Sequence, residues 1–181
     1  MEAFLYSALF IIIIIGSLGI LYVYQYNKLQ HSKTKIDHAE CLIDEALRSR
    51  FDVLNKIDSL ICKELDYKNL LKDLDKLKDE NISNFDLDRK FTEDLSLVNQ
   101  VILDQSVLGN NKDLKKLMNE NKVIDEKLQA AKSYYNKYTS ELNDLVRTFP
   151  SNIVAKMHSI SIKPFFDGKN MEDTIVDDFK L

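Results

Sequence analysis

Residues that break helices are scarce in this sequence, which has four glycines and two prolines among 181 residues. Two of the glycines lie in an apolar N-terminal stretch, so the chain has no glycine-rich loop of the kind that binds phosphate groups. Between Lys28 and Leu108 there is neither glycine nor proline, and this favours long helices. Two cysteines make no disulfide framework, and we expect Cys41 and Cys62 to be reduced thiols on helices.

The residue patterns of common enzymes and metal sites are also missing. There is no Gly-x-Ser-x-Gly, no His-Glu-x-x-His and no Glu-x-x-His. His38, Cys41 and Glu45 share a helical face, but three adjacent ligands on one helix suit tetrahedral zinc poorly. Acidic and basic residues alternate without a basic stripe, and the net charge is −4. We therefore predict no catalytic residue, no metal, no cofactor and no nucleic-acid partner.

One long apolar run stands at the N-terminus. The twenty-two residues from Ala3 to Tyr24 carry no charge. As a helix they extend for about 33 Å, which is enough to cross the hydrocarbon core of a bilayer. A cleaved signal peptide would need basic residues before the run and small residues after it, and this sequence has neither. We predict that residues 3–24 are a retained transmembrane helix in contact with the lipid bilayer.

The distribution of lysines predicts the orientation of this helix. None precedes it, whereas Lys28, Lys33 and Lys35 follow it closely. The positive-inside rule then places the N-terminus outside and the C-terminal domain in the cytoplasm. The expected location is the bacterial cytoplasmic (inner) membrane, in a single-pass arrangement.

Apolar periodicity predicts a helix over residues 111–149. Steps of three and four residues mark one side of it, which we call the seam. Asn121 interrupts the seam, either to fix the register or because it lies at the edge, and we favour the edge. The seam consists of Leu114, Leu117, Asn121, Ile124, Leu128, Ala131, Tyr135, Tyr138, Leu142, Leu145 and Phe149.

Capping residues bound the two C-terminal helices. Ser83, followed three residues later by Asp86, predicts the start of a helix over 84–108. Gly109 suits the left-handed residue after its end, and Asn110–Asn111 then caps the helix over 111–149.

Residues 27–80 are compatible with two arrangements. Either they form one long helix, or the chain turns in the polar patch at 49–52 to give helices over 27–48 and 52–80. We favour the hairpin because it yields an up-and-down four-helix bundle. The predicted fold is all-α, with an external tail and anchor (1–26), a bundle (27–149) and a partly disordered C-terminal extension (150–181).

Short motifs along the chain point to a family. They are a Tyr-Asn after the anchor, an Arg-x-Asp in residues 47–54, a Tyr-Asn in the last helix, a Phe-Pro-x-Asn at its end, and a closing aromatic pair. This order resembles the LemA family of bacterial membrane proteins. The residues that carry the resemblance, with Tyr134 beside them, are Tyr26, Asn27, Arg50, Asp52, Tyr134, Tyr135, Asn136, Phe149, Pro150, Asn152, Phe165 and Phe166.

The sequence departs from the family pattern in places. Asn55 stands where a proline is usual, and Lys132 stands where an arginine is common. The resemblance implies a transmembrane helix, a cytoplasmic helical bundle and no established enzymatic activity.

Three functional hypotheses follow. We favour a non-enzymatic scaffold or interaction module with a protein partner, for which Tyr134 and Asn136 are the candidate binding residues. The alternative is a membrane-proximal signalling rod that forms a homo-oligomer. The least favoured hypothesis is a metal-dependent enzyme whose site is assembled from scattered carboxylates.

Overall fold

The computed structural model describes residues 1–66, 70, 71, 74 and 82–166. In these residues all regular structure is helical, which confirms the all-α class. The chain divides into two compact units, one of residues 1–38 with 135–181 and one of residues 39–134. We call them the terminal unit and the central unit. The helices are α1 (Glu2–Leu65), α2 (Asn84–Asp104), α3 (Ser106–Gly109), α4 (Lys112–Arg147) and α5 (Ser151–Met157).

Helix α1 runs without a break through residues 49–52, so the predicted hairpin is wrong. The polar patch does not form a loop because Arg50 points into the protein, where its side chain is 2% exposed. The helix ends at Leu65, and Asp66 adopts a left-handed conformation with φ 55°. The Asp58 carboxylate accepts hydrogen bonds from the backbone N–H groups of Leu70 and Leu71. Two backbone donors that follow the helix therefore have a partner. The rest of the predicted helix over 52–80 lies largely outside the described residues.

The central unit has an apolar core to which α1, α2 and α4 contribute. The rings of Phe51 and Phe91 lie 6.1 Å apart between their centroids and join α1 to α2. Burial of these side chains supplies the main stabilisation of such a helix cluster. The buried apolar residues of this unit are Ala39, Ile43, Ala46, Leu47, Val53, Leu54, Ile57, Ile61, Leu71, Leu74, Phe91, Val98, Leu108, Leu114, Ile124, Leu128 and Ala131.

The predicted N-caps are confirmed, but the glycine cap is wrong. The Ser83 hydroxyl accepts a 3.1 Å hydrogen bond from the N–H of Asp86. The Asn111 side-chain oxygen accepts hydrogen bonds from the N–H groups of Asp113 and Leu114. Gly109 does not lie beyond the helix in a left-handed conformation but is the last residue of α3. The predicted helix over 84–108 is interrupted earlier, because Gln105 adopts an extended conformation.

The seam is buried along most of its length, with two exceptions to the prediction. Phe149 is 74% exposed, because α4 already ends at Arg147 and the helical repeat does not continue. Asn121 is 2% exposed, so it lies within the seam and not at its edge. The sequence pattern also missed Thr139 and Asn143, two polar residues that are buried in the same helix.

Candidate interaction site

A buried cluster of charges joins three helices of the central unit. The Arg50 guanidinium of α1 pairs with Asp88 of α2 at 2.9 Å and with Asp125 of α4 at 3.6 Å. The Lys132 ammonium of α4 also pairs with Asp88, and Thr92 accepts a 3.4 Å hydrogen bond from Arg50. Lys132 therefore supplies a cation at the position where the resemblance leads one to expect an arginine.

The two charged residues of the Arg-x-Asp motif lie in different environments. Arg50 is inside the unit, and its Nε atom has no hydrogen-bond partner among the described residues. Asp52 is exposed on the same helix. Because a buried charge is costly unless it is paired, Arg50 depends on Asp88 and Asp125, and these ion pairs connect α1 to α2 and to α4.

A groove of about 480 Å³ lies between α1 and α4 in the central unit. Its lining is mainly apolar, with Glu45 and Lys127 as its charged residues. The Ser49 hydroxyl in the groove donates a 2.9 Å hydrogen bond to the carbonyl of Glu45, so its proton is already engaged. Tyr134, the residue that sequence analysis placed off the seam, contributes to the wall. The lining residues are Leu42, Glu45, Ala46, Ser49, Ile124, Lys127, Ala130, Ala131 and Tyr134.

In the terminal unit, motif residues of α4 bind the segment that follows α5. The Tyr135 hydroxyl donates to the carbonyl of Pro164 at 3.2 Å, and its ring contacts the Phe166 ring edge-on at 6.3 Å. The Asn136 side-chain oxygen accepts a 2.8 Å hydrogen bond from the N–H of Phe166. This oxygen is therefore occupied within the chain, which weakens the prediction that Asn136 and Tyr134 form one binding patch.

Asn143 is the residue that sequence reasoning missed here. Its side chain donates to the carbonyl of Lys163 and accepts from the N–H of the same residue, both at 2.8 Å. One carboxamide thus satisfies both backbone groups of Lys163. The sequence signal that could have identified Asn143 is its position next to Leu142, a residue of the seam.

The remaining motif residues are spread over the terminal unit. Tyr26 packs on the His158 ring at 4.6 Å between centroids, whereas Asn27 is exposed. The Asn152 side-chain oxygen is buried and has no hydrogen-bond partner among the described residues. The structure does not gather the motif residues at one point. Of the other three motif residues in this unit, Phe149 is exposed, and Pro150 and Phe165 are half-buried.

Within the part of the chain that the structure describes, no three His, Cys, Asp or Glu residues are grouped so as to hold a metal ion. The expectation of no metal, cofactor or catalytic residue stays a prediction. The two cysteines differ in environment, since Cys41 is exposed and Cys62 is half-buried. Burial raises the pKa of the Cys62 thiol above its ordinary value of 9.0, and the nearby Asp58 carboxylate adds to the rise.

The chain matches a known protein family. The model of the LemA family matches residues 42–177, which is most of the chain and includes both the groove and the charge cluster. The Tyr-Asn motif at residues 26 and 27 lies before the matched range. No curated protein and no solved structure matches the chain.

Proposed function

This chain belongs to the LemA family, and from that premise we propose that it is a non-enzymatic interaction module held at a membrane surface. The single observation that carries the proposal is the groove between α1 and α4, which lies on the same helix that carries the apolar N-terminal run. A tether of this kind raises the effective concentration of the binding surface at the membrane.

The first support is the N-terminal part of α1. This helix is long and apolar enough to cross a membrane, and its apolar window is not buried within the protein. Side chains such as Phe10, Ile12 and Ile15 are more than half exposed. A contiguous apolar surface of this extent is unfavourable in water and favourable in lipid.

We place the C-terminal domain on the cytoplasmic side of a bacterial inner membrane because Lys28, Lys33 and Lys35 follow the apolar run. A green fluorescent protein fused after Leu181 should fluoresce, and alkaline phosphatase at the same place should be inactive. The reverse pattern would overturn the assigned orientation.

The second support is the chemistry of the groove. Its apolar floor and its one carboxylate and one ammonium group suit a partner's amphipathic helix, which buries an apolar face and pairs its charges at the rim. The charge cluster at Arg50 stabilises the α1–α4 pair that forms the groove. A preformed site loses less conformational entropy when a partner binds.

Photo-crosslinking in cells tests this proposal. Benzoylphenylalanine in place of Tyr134 should give an adduct with a second protein, whereas the same residue in place of the exposed Lys116 of α4 should not. Ala130→Glu places a charge in the groove and should abolish the adduct, while Ala130→Ser should preserve it. Equal labelling at positions 116 and 134, or no adduct at either, would contradict the proposal.

A second candidate function is self-association. Leu103 is 85% exposed and Val107 is 63% exposed, so α2 and α3 of the central unit retain apolar surface after intramolecular packing. A crosslinked product with the mass of two chains that disappears in Leu103→Ser would favour the signalling rod over the groove-binding module.

A further inference from the structure

Helix α5 has apolar side chains on two opposite sides. Val154 and Ala155 are buried against the terminal unit. On the other side, Ile153 and Met157 are 52% and 67% exposed. These two residues are four positions apart on the helix, so they form one stripe, which we call the α5 stripe. Packing within the described residues does not account for this stripe.

Both ends of α5 lie beside the end of the apolar run of α1. At the C-terminal end, the His158 ring nitrogen Nε2 lies 2.6 Å from the hydroxyl of Tyr22, and the ring packs on Tyr26. At the N-terminal end, Pro150 and Ser151 line a cavity of about 570 Å³ together with Gln25 and Lys28. Helix α5 is therefore held beside residues 22–28 of α1.

This level coincides with a membrane interface if α1 crosses the bilayer. Tyr22 lies nineteen residues after Ala3, a helical rise of about 29 Å that matches the hydrocarbon thickness. Tyrosine rings prefer the headgroup region, and three tyrosines occur between residues 22 and 26. Because α5 lies beside residues 22–28, the α5 stripe is near the level at which α1 leaves the hydrocarbon core if α1 crosses the bilayer.

We propose that the α5 stripe inserts into the interfacial layer of the same bilayer that α1 crosses, so that the terminal unit contacts the membrane at two places. The inference rests on the proposed membrane anchor and extends it to a lipid-binding surface. Exposed Lys28 and Lys156 lie on α1 and α5 beside this surface and suit anionic headgroups. A single span can rotate about its axis, and the second contact removes that freedom.

Fluorescence quenching by lipids tests the inference on the full chain. In a Cys41→Ser, Cys62→Ser background, single cysteines at Ile153 or Met157 carry an environment-sensitive nitrobenzoxadiazole label. The protein is reconstituted in vesicles of phosphatidylethanolamine and phosphatidylglycerol that contain nitroxide-labelled lipid. Leu18→Cys serves as the lipid-exposed reference, and Thr34→Cys, about 18 Å beyond Tyr22 along α1, serves as the aqueous reference.

Labels at 153 and 157 should be quenched several-fold more strongly than the label at 34 and should emit at shorter wavelength. Quenching equal to that at position 34 overturns the inference, as does a label shielded from water but not quenched, since that result indicates a protein occupant. If the label at 18 is also unquenched, the anchor itself fails, so the two failures are distinguishable. Far-ultraviolet circular dichroism verifies that each variant keeps its helices, and if the variant at 153 or at 157 does not fold, the other one is used for the measurement.

Discussion

The guanidinium of Arg50 lies 2.9 Å from the carboxylate of Asp88, although the two residues are 38 positions apart in the sequence. The arginine side chain is 2% exposed and the aspartate side chain 13% exposed. Removing one member of such a pair leaves an uncompensated buried charge. The relationship explains why a polar patch within α1 does not end the helix.

Replacement of Arg50 should therefore destabilise the central unit strongly. For Arg50→Ala we expect the free energy of unfolding to fall by about 1.5–3 kcal/mol, because Asp88 loses the charged hydrogen bond from Arg50 but keeps its pair with Lys132. Urea unfolding of the full chain in detergent, followed by circular dichroism, measures the change. The control is Arg89→Ala, which breaks the exposed pair with Glu93 and should cost less than about 1 kcal/mol. Equal losses in the two variants would show that the buried pair has no special role.

Asn121 should be a site at which stability can be raised. It is buried in the seam, and its side-chain oxygen has no hydrogen-bond partner among the described residues. Asn121→Leu removes this desolvated polar group, and we expect the free energy of unfolding to increase by about 1–2 kcal/mol. The exposed neighbour provides the control, since Asn119→Leu should change stability by less than about 0.5 kcal/mol. A destabilised Asn121→Leu would indicate that the carboxamide is satisfied by water.

Asn143 should control how firmly the segment after α5 is held. Asn143→Ala removes both hydrogen bonds to Lys163 and leaves two partly buried backbone groups without their partner. We expect local opening to become easier by about 1–3 kcal/mol, with faster amide hydrogen exchange at Lys163. Asn136→Ala removes a bond to Phe166 instead, so it should accelerate exchange at Phe166 more than at Lys163. Unchanged exchange in both variants would refute the assigned contacts.

The two cysteines should differ in reactivity and should not pair with each other. Burial raises the pKa of the Cys62 thiol, so a smaller fraction of it is present as thiolate, which is the reactive form. Alkylation followed by mass spectrometry should show Cys62 reacting more slowly than exposed Cys41, and the rate at Cys62 should increase as the pH is raised.

Oxidation gives an independent check on α1. On one continuous helix the two cysteines are about 31 Å apart, which is far beyond the reach of a disulfide. Mild oxidants should therefore give no intramolecular disulfide. An intramolecular disulfide in the monomer would contradict the continuous helix and support the hairpin.

Local rules of helix formation predicted several features of the fold correctly. The periodicity of α4 identified its buried side, and Ser83 and Asn111 were identified as N-caps because capping depends on residues only two or three positions apart. The same local rules failed at Arg48–Asp52, where charged residues were taken as a sign of a turn. They also failed at Phe149, where the repeat was extended beyond the last residue that is helical.

The interaction surfaces followed this division. Tyr134 could be placed off the seam from spacing alone, but the groove also needs Leu42 and Glu45 of a helix some ninety residues earlier in the chain. The motifs led to the correct family, whereas the contacts of the motif residues could not be predicted from them. Asn136 and Asn143 form hydrogen bonds with backbone groups of Phe166 and Lys163. Such bonds do not depend on the side chains of the bound segment, so the sequence does not predict them.

Residue order alone was enough to predict that the chain is helical and that an apolar run near its N-terminus is long enough to cross a membrane. It also predicted where α2 and α4 begin and which side of α4 is buried. These properties depend on propensity, spacing and hydrophobicity, which act over a few residues. Three features could not be predicted and were seen in the folded structure. Helix α1 is unbroken, Arg50 is paired inside the central unit, and α5 lies beside Tyr22 and Tyr26. A buried charge or an exposed apolar stripe acquires its meaning from partners distant in the chain, because the free energy of each depends on what surrounds it after folding.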